Sequence, residues 1–424
     1  MKILTVVCDL KKGGTQRVAQ VFAEAYRQLG HDSRLLALYR LGPRYDELKD
    51  VIPVWHGLSD ENLQEFKTWR PDVIHIHTHG LKEVDVRRLI GCIRSEFTRV
   101  VETNVFSVPS PWADQVDVSF QLSTWALWLY LLRGGDGRKA AMVPNPVHCQ
   151  KFQPAAAGDV QKFRKSHGIP EGAFVIGRIG QSAEFSWSPL LLRAFNDLAC
   201  KDDRLYMVVV NPSPPICAEI DRSPFKNRTV VIPELIGDDS LSLAYSSLDL
   251  MVHAAEGGES FGLVNAESIL CGTPVVTLST PWISNSQCEV VGNMQGGYVV
   301  NHLNGMKKAI RHFMKNGDAL GLVQKGGKHI RRNYDHQLVA RKALDYALCS
   351  ADQLPSYDCH AVNQKVRQIL TDTFDRPRLL TRLLIAMNST AARKLTIYTS
   401  GCKPLNQLPA LKLLASRLRK RRKY

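Results

Sequence analysis

Long apolar segments are missing from this sequence. The longest uninterrupted apolar run, Trp125–Leu132, has eight residues, whereas a transmembrane helix needs about 20. The apolar residues near the start are interrupted by Asp9 and followed by Lys11 and Lys12. We therefore predict a first buried strand there rather than a signal peptide, and we expect no membrane-spanning helix.

Closely spaced cysteine pairs are missing as well. The ten cysteines are scattered along the chain without metal-binding spacing, and we interpret them as reduced, mostly buried thiols of a cytosolic protein. Three histidines, His75, His77 and His79, lie on one face of a predicted strand because strand side chains alternate. They present a possible zinc site, but we favour residues that line a polar cleft or stabilise the strand end.

Acidic residues are absent from the last part of the chain. The segment from Arg376 to Tyr424 contains thirteen of the 55 Lys and Arg residues, which leaves 42 against the 40 Asp and Glu of the rest. The net charge of +15 therefore belongs to this tail. Its two amphipathic segments, 378–387 and 408–419, suit the anionic inner surface of a membrane. A solvated tail is the alternative, and nucleic-acid binding is disfavoured because the basic residues are not interleaved with aromatic residues and no known module accompanies the charge.

Strand and helix patterns alternate twice along the chain. This alternation predicts an α/β protein with two doubly wound parallel sheets, whose ligands bind at the carboxyl ends of strands. Three prolines between Val143 and Pro154 indicate an interdomain connection. We therefore predict a first domain over 1–155, a second domain over 156–350 and a basic helical extension over 351–424.

One stretch, His253 to Val276, combines the chemical features of a binding site. An apolar strand breaks at Gly257 and Gly258, a helix starts near Phe261, and Gly272 ends it before a second apolar strand. The unpaired N–H groups and positive dipole end of such a helix bind anions such as a diphosphate. Two carboxylates in the same unit, Glu259 and Glu267, require that the ligand also carries hydroxyl groups. A nucleotide sugar has both parts.

Two further features have both an ordinary and a functional interpretation. Gly13 and Gly14 lie between the first strand and the first helix, where backbone amides can approach a phosphate or sugar; a plain turn is the alternative. Arg178 ends the first strand of the second series, a natural position for a phosphate clamp; an ordinary surface ion pair is the alternative.

Together these pieces resemble the retaining nucleotide-sugar glycosyltransferases of the GT-B fold, a large family (glycosyltransferase family 4-like, group 1) with many bacterial polysaccharide and lipid glycosylating enzymes. The resemblance covers about residues 1–345. The most specific match is the Glu-x7-Glu unit with Phe261-Gly262 and the trailing Gly-Thr-Pro-Val-Val. Softer matches occur in family order at Gly13–Arg17, Pro71–His77, Val143–Pro154, Gly177–Arg178 and Leu235–Asp239.

The resemblance implies two Rossmann-like domains facing across a cleft, with the donor held mainly by the second. By position, Glu267 would accept hydrogen bonds from the ribose and Glu259 would contact the donor sugar as a catalytic residue. Arg178 would clamp the diphosphate, with Gly13 and Gly14 closing over the sugar. The diphosphate and sugar would be lined by the backbone of Phe261, Gly262, Leu263 and Val264.

This sequence departs from the family pattern at two places. The family usually has a lysine a few residues after Gly-Arg, whereas no lysine lies between Arg178 and Lys201, and Ser186 falls near the expected position. The family also often has a histidine after the strand at 100–103, where Asn104 is nearest here. We assign the missing histidine's role to His79.

The resemblance implies a retaining transferase that moves a sugar from a UDP- or GDP-linked donor to a lipid-linked or cell-surface glycan. No Asp-x-Asp occurs in the chain, which agrees with a reaction that uses side-chain cations and a helix dipole and needs neither metal nor cofactor. We expect a cytoplasmic protein on the inner face of the membrane. The alternatives are a non-catalytic partner subunit that binds nucleotide sugar or glycan, and a nucleotide-sugar epimerase.

Overall fold

The first domain contains a seven-stranded parallel sheet. The computed structural model describes residues 1–78, 84–281, 283–316, 319–357 and 359–377. In this sheet the strand order is β3-β2-β1-β4-β5-β6-β7. The strands run parallel because a crossover connection after each strand returns the chain in the same direction. The elements are β1 (Lys2–Asp9), α1 (Gly14–Gln28), β2 (Asp32–Arg40), α2 (Pro43–Leu48), β3 (Val54–His56), α3 (Asp60–Trp69), β4 (Val73–Thr78), α4 (Val84–Ile93), β5 (Arg99–Asn104), β6 (Val118–Gln121), α5 (Thr124–Leu132) and β7 (Ala140–Met142).

The second domain repeats this design with six parallel strands in the order β10-β9-β8-β11-β12-β13. Two clusters of buried apolar side chains cover the two faces of its sheet. Its elements are α6 (Ala157–Ser166), β8 (Phe174–Ile179), α7 (Leu190–Ala199), β9 (Leu205–Val210), α8 (Pro214–Asp221), β10 (Thr229–Ile232), α9 (Asp238–Ser246), β11 (Leu250–His253), α10 (Leu263–Leu270), β12 (Val275–Leu278), α11 (Gln287–Val291), β13 (Gly297–Val300), α12 (Leu303–Asn316) and α13 (Ala319–Tyr334).

Each sheet has one point at which the strand order reverses direction. In the first sheet β1 pairs with β4, and in the second β8 pairs with β11. Loops that leave such neighbouring strands in opposite directions open a crevice at the carboxyl ends of the strands. The two crevices face each other, and the predicted fold class of two Rossmann-like doubly wound domains across a cleft is confirmed.

The chain returns to the first domain after α13. α14 (His336–Leu348) packs on α1, where Val339 and Ala343 join the core that contains Phe22. α15 (Cys359–Thr371) packs on α5, where Val366 and Leu370 cover Trp125. The sequence-based boundaries place α14 in the second domain and α15 in a basic extension, whereas the packing adds both helices to the first domain. Their apolar faces, rather than their charge, determine this position.

The described chain ends against the second domain. The Phe374 N–H donates to the Val299 carbonyl at 2.8 Å, and Asp375 Oδ1 accepts from the Asn301 N–H at 2.8 Å. The chain therefore links the two domains again beyond α15. The amphipathic tail segments 378–387 and 408–419 lie outside the described residues.

Candidate active site

Two connected cavities occupy the cleft between the domains. The large cavity has a volume of about 940 Å³, and the small cavity has a volume of about 290 Å³. These volumes lie near the two ends of the roughly 300–1,000 Å³ range of ligand pockets. Both cavities are lined by Gly13 and Gly14 from the first domain and by Ile179, Leu263 and Val264 from the second. The two predicted halves of the site therefore meet in one cleft.

Glycines fix the loop that precedes α10. Gly262 has a φ of +96°, and a Cβ atom there would lie 2.7 Å from Asn265 Nδ2. Gly258 has a φ of +64°, and its Cβ atom would lie 1.8 Å from the Ser284 carbonyl oxygen. Residues other than glycine are strained in this left-handed backbone conformation. The turn directs the N-terminus of α10 into the cleft, where it can attract an anion.

The four residues predicted to line the ligand through their backbone lie together at the small cavity. Phe261, Gly262, Leu263 and Val264 all line the small cavity. Phe261 is itself buried and packs edge-on against Tyr334, with ring centroids 5.1 Å apart. This contact anchors the start of α10 to the end of α13.

Glu267 lies two turns into the loop–helix unit and lines the large cavity. Its Oε2 accepts a hydrogen bond from the Tyr245 hydroxyl at 2.9 Å. Its Oε1 lies 3.3 Å from Nη1 of Arg17, which belongs to the first domain. Each carboxylate oxygen can accept more than one hydrogen bond, so the buried carboxylate retains capacity for ligand hydroxyl groups.

Arg17 is the residue whose importance the sequence does not reveal. Its Nη2 contacts Asp238 Oδ1 at 2.6 Å, and its guanidinium lies over the Phe152 ring at 5.0 Å. Burial lowers the pKa of Arg17, but Glu267 and Asp238 outweigh this effect and raise it above its usual value. A guanidinium shared by carboxylates of the opposite domain stabilises the closed cleft. The sequence feature that could have indicated this role is the position of Arg17, one helical turn after Gly13 and Gly14.

Glu259 lines the small cavity and forms a pair with His253. His253 Nε2 and Glu259 Oε1 are 3.0 Å apart, and His253 Nδ1 lies 3.1 Å from Thr277 Oγ1. Burial raises the pKa of Glu259, but the His253 hydrogen bond and the charge of Arg178 outweigh it and hold the pKa below its usual range. Burial and the same Arg178 charge lower the pKa of His253. A neutral His253 therefore donates through Nε2 to an ionised Glu259 and accepts from Thr277.

Arg178 is buried at the edge of the small cavity. It donates through Nη2 to the Ser186 carbonyl and lies over the Trp187 ring at 4.9 Å. Its Nε and Nη1 atoms have no hydrogen-bond partner among the described residues. Burial lowers the pKa of Arg178 to about 10, so the guanidinium stays charged at neutral pH. A charged group with unused donors suits an anionic ligand.

Ser186, at the position of the missing lysine, also lines the small cavity. Arg178 is the only cationic side chain among the described residues that line this cavity.

Of the three histidines predicted on one face of a strand, the two that the structure describes, His75 and His77, do not share one role. His79 lies outside the described residues. Both ring nitrogens of His75 are engaged, with the Tyr26 hydroxyl at 2.8 Å and Thr103 Oγ1 at 2.9 Å, so His75 is a structural residue. Within the described ranges, no group of three or more His, Cys, Asp or Glu side chains is arranged to hold a metal ion.

Asn104 has a structural role too, because it exchanges hydrogen bonds with the backbone of Val108. His77, which received no separate role from the sequence, lines the small cavity.

Residues 159–329 match the family described as Glycosyl transferases group 1. HepE of Anabaena, solved in complex with UDP and glucose, superposes with a TM-score of 0.67 at 18% identity, over 81% of this chain and 98% of that chain. The chain has the GT-B fold.

A second solved structure and a curated protein are also similar to this chain. WaaG, described as a glycosyltransferase involved in lipopolysaccharide biosynthesis, superposes with a TM-score of 0.58 at 14% identity, over 81% of this chain and 100% of that chain. The D-inositol 3-phosphate glycosyltransferase of Actinosynnema mirum is 31% identical over 156 residues. This alignment covers 34% of the chain and spans only 36% of that curated relative.

The family match is confined to the second domain of the GT-B fold. It includes Arg178, Glu259 and Glu267, whose side chains meet at the cleft. Gly13, Gly14 and Arg17 lie outside it, and their relation to the site rests on the cavity and the ion pairs described above.

Proposed function

We propose that this protein is a glycosyltransferase that takes a sugar from a nucleoside-diphosphate sugar. The observation that carries the proposal is the convergence of the Glu267 carboxylate, the N-terminus of α10 and the unpartnered donors of Arg178 on one cleft. These groups complement ribose hydroxyls and a diphosphate. HepE, with the same fold, was solved with UDP and glucose, which supports UDP as the first nucleotide to test.

The proposed chemistry uses this chain's own charges. Arg178 and the dipole of α10 stabilise the negative charge that develops on the departing diphosphate. Glu259, kept ionised by its hydrogen bond from His253 and by Arg178, faces the sugar. On this basis we propose that transfer retains the anomeric configuration and requires no metal ion.

Turnover is the direct test of this proposal. Purified protein is incubated with UDP-glucose, UDP-N-acetylglucosamine or GDP-mannose, with and without chelator, and release of the nucleoside diphosphate is measured. The anomeric configuration of the product is read by NMR. We expect release with at least one donor, a retained configuration and unchanged turnover in chelator. An inverted product, or activity that depends on an added divalent ion, would contradict the proposed chemistry.

The acceptor in our proposal is a lipid-linked or cell-surface glycan of polysaccharide or lipopolysaccharide biosynthesis. The basic composition of residues 376–424 and the similarity to WaaG support this choice. The Actinosynnema relative is named for a phosphorylated polyol, D-inositol 3-phosphate, so this compound belongs in the acceptor panel. If labelled sugar is transferred to this compound and not to glycolipid, D-inositol 3-phosphate replaces the glycan as the proposed acceptor.

A specific observation favours a second candidate, a non-catalytic subunit that binds nucleotide sugar. The small cavity has a hydroxyl group at Ser186 and a single described cation, Arg178, and removal of one preorganised donor typically costs roughly 100- to 1,000-fold in rate. Binding without turnover by the wild-type protein, together with turnover after Ser186→Lys, would support this candidate.

Residues 378–424 bind the cytoplasmic face of a membrane in our proposal. No helix in the described part of the chain is long and apolar enough to span a membrane, and the twelve Lys and Arg residues of 378–424 favour an anionic surface. A chain that ends after Pro377 keeps the contacts of Phe374 and Asp375. We expect it to bind nucleotide like the full chain but to bind anionic liposomes more weakly, in a salt-dependent way. Equal liposome binding by both chains would leave the solvated tail as the better interpretation.

A further inference from the structure

Three buried side chains with unsatisfied polar atoms line the small cavity. Besides Nε and Nη1 of Arg178, these atoms include both ring nitrogens of His77 and Oδ1 of Asn145, none of which has a hydrogen-bond partner among the described residues. The exposed fractions of Arg178, His77 and Asn145 are only 1%, 0% and 8%. Buried polar groups in folded proteins are nearly always hydrogen-bonded. Three unsatisfied side chains that line one cavity therefore indicate a polar occupant.

His75 and His77 are neighbours on the same strand but differ in their hydrogen bonds. Both histidines are buried on β4, and their ring centroids lie 3.9 Å apart. His75 is fully hydrogen-bonded to Tyr26 and Thr103, whereas His77 is not bonded and lines the small cavity. The same strand thus provides one histidine with a structural role and one whose polar atoms are unused.

The protonation state of His77 restricts what it can bind. Burial lowers the pKa of His77 to about 3, so the imidazole is neutral at physiological pH. A neutral imidazole has one nitrogen that donates and one that accepts. An alcohol hydroxyl group also donates and accepts, whereas a phosphate only accepts. His77 therefore suits a hydroxyl group and does not add a positive charge for the diphosphate.

The position of these residues in the cleft indicates which part of a nucleotide sugar they meet. Glu267 and the end of β9 line the large cavity, which is roomy enough for a nucleoside. His77, Asn145 and Glu259 line the small cavity, beneath Gly13 and Gly14. We propose that His77 and Asn145 bind hydroxyl groups of the transferred sugar from the first-domain side, opposite Glu259. This assignment rests on the proposed use of a nucleotide sugar and gives the first domain a part in donor selectivity.

Replacement of His77 by phenylalanine separates binding from packing. Phe22 and His75 surround the ring, so a phenyl group fits an aromatic environment and removes two unpartnered nitrogens. We expect His77→Phe to raise the unfolding temperature of the ligand-free protein, because unpaired buried polar groups are destabilising. Thr5→Val is the matched control, since it removes a buried, unpartnered hydroxyl group that lines neither cavity.

Affinity is then measured by calorimetry with UDP, UDP-glucose, UDP-N-acetylglucosamine, GDP and GDP-mannose. In the wild type we expect one nucleotide sugar to bind more tightly than its diphosphate. We expect His77→Phe to lower the affinity for this nucleotide sugar by about tenfold while changing the affinity for the diphosphate less than about twofold. Asn145→Ala should show the same selectivity, and Thr5→Val should change neither affinity.

The outcomes distinguish this inference from the proposed function. His77→Asn, which retains a donor and an acceptor without the bulk of a ring, should lose less affinity than His77→Phe and serves if the latter does not fold. Undiminished affinity of the His77 variants for the nucleotide sugar overturns the inference and leaves the proposed function standing. If the wild type binds no nucleotide sugar more tightly than the corresponding diphosphate, the inference also fails. If neither diphosphates nor nucleotide sugars bind the wild type, the proposed function fails with it.

Discussion

Glu259 and Glu267 belong to one loop–helix unit but have different partners. Glu259 contacts a neutral histidine and lies near Arg178 within the second domain. Glu267 contacts Tyr245 of its own domain and Arg17 of the other. Because Arg17 occupies one side of the Glu267 carboxylate, a ligand hydroxyl group that binds there must share the carboxylate with Arg17 or displace it.

Substitution of Glu267 tests its proposed contact with ribose. Glu267→Gln removes the negative charge and retains the shape, so we expect binding of UDP or GDP to weaken by roughly 1–3 kcal/mol. Glu65→Gln, the same change at a surface residue of the first domain, is the control and should leave binding unchanged. Unaltered affinity for both diphosphates in Glu267→Gln would remove this residue from the ribose site.

The buried histidines of β4 make stability sensitive to acid. Burial lowers the pKa of His77 to about 3 and that of His75 well below its usual value. Below the unfolded-state pKa of about 6.5, the unfolded chain binds protons that the folded chain does not. The contribution of these two histidines to the free energy of unfolding is therefore fully present above about pH 6.5, and it is lost progressively as the pH falls towards 3.

Removal of one of these histidines should reduce this decline. Each non-protonated histidine contributes about 1.4 kcal/mol per pH unit. We expect the free energy of unfolding of His77→Phe, from urea titrations between pH 6 and 4, to fall less steeply than that of the wild type by about this amount. Thr5→Val should have the wild-type slope. An identical slope in His77→Phe would show that His77 is protonated in the folded protein.

At the scale of elements, two glycines at opposite ends of α10 allow a matched comparison. Gly262 and Gly272 both have left-handed backbones, with φ values of +96° and +88°. A Cβ atom at 262 meets Asn265 Nδ2 at 2.7 Å, whereas at 272 its nearest neighbour is 3.5 Å away. The backbone strain is thus similar, and the collision is specific to the cleft end of the helix.

We expect Gly272→Ala to cost about 1–2 kcal/mol of stability from backbone strain alone. Gly262→Ala should cost more and should also weaken diphosphate binding, because the loop that aims α10 must move. Urea unfolding and calorimetric titration measure the two effects. Equal nucleotide affinity in both variants would show that the α10 terminus does not contact the diphosphate.

Sequence patterns predicted local elements well and contacts between distant elements poorly. The loop before α10 and the end of this helix were predictable, because Gly257 and Gly258 in the loop and Gly272 after the helix are local signals of chain direction. The pairing of Arg17 with Glu267 was not predictable, because it depends on how two domains pack. The same reason explains His77, since alternation placed it with His75 and His79 but did not show which of them reaches the cleft. α15 was missed as part of the first domain because it lies between the second domain and the basic segment that begins at Arg376, and its contact with α5 depends on how distant elements pack.

At the scale of the whole molecule, α14 and α15 hold the two domains together with the cleft contacts. Arg17 and Lys12 of the first domain pair with Asp238 and Glu234 of the second, at 2.6 and 2.8 Å. The Lys12–Glu234 pair is exposed and contributes little to stability, whereas Arg17 is largely buried in its pair with Asp238. The apolar contacts of α14 and α15 with the first domain add to these ion pairs.

Truncation of a side chain in α15 measures its contribution. Leu370 is buried against Trp125 and Leu129 of α5, so we expect Leu370→Ala to lower the free energy of unfolding by about 2–5 kcal/mol. Leu338→Ala, at a position of α14 that is 46% exposed, should change it by no more than about 0.5 kcal/mol. Urea unfolding gives both values. Equal stability of the two variants would show that α15 is not docked on α5 in solution.

The return of α14 to the first domain also sets an order of events during protein synthesis. The side chains of α14 that complete the core around Phe22 and Tyr26 leave the ribosome only after the entire second sheet. Part of the apolar surface of the nascent first domain therefore stays uncovered while the second domain is translated. Exposed apolar surface of this kind attracts chaperones and promotes aggregation. A gene cut at the interdomain connection would separate α1 permanently from the helix that covers it.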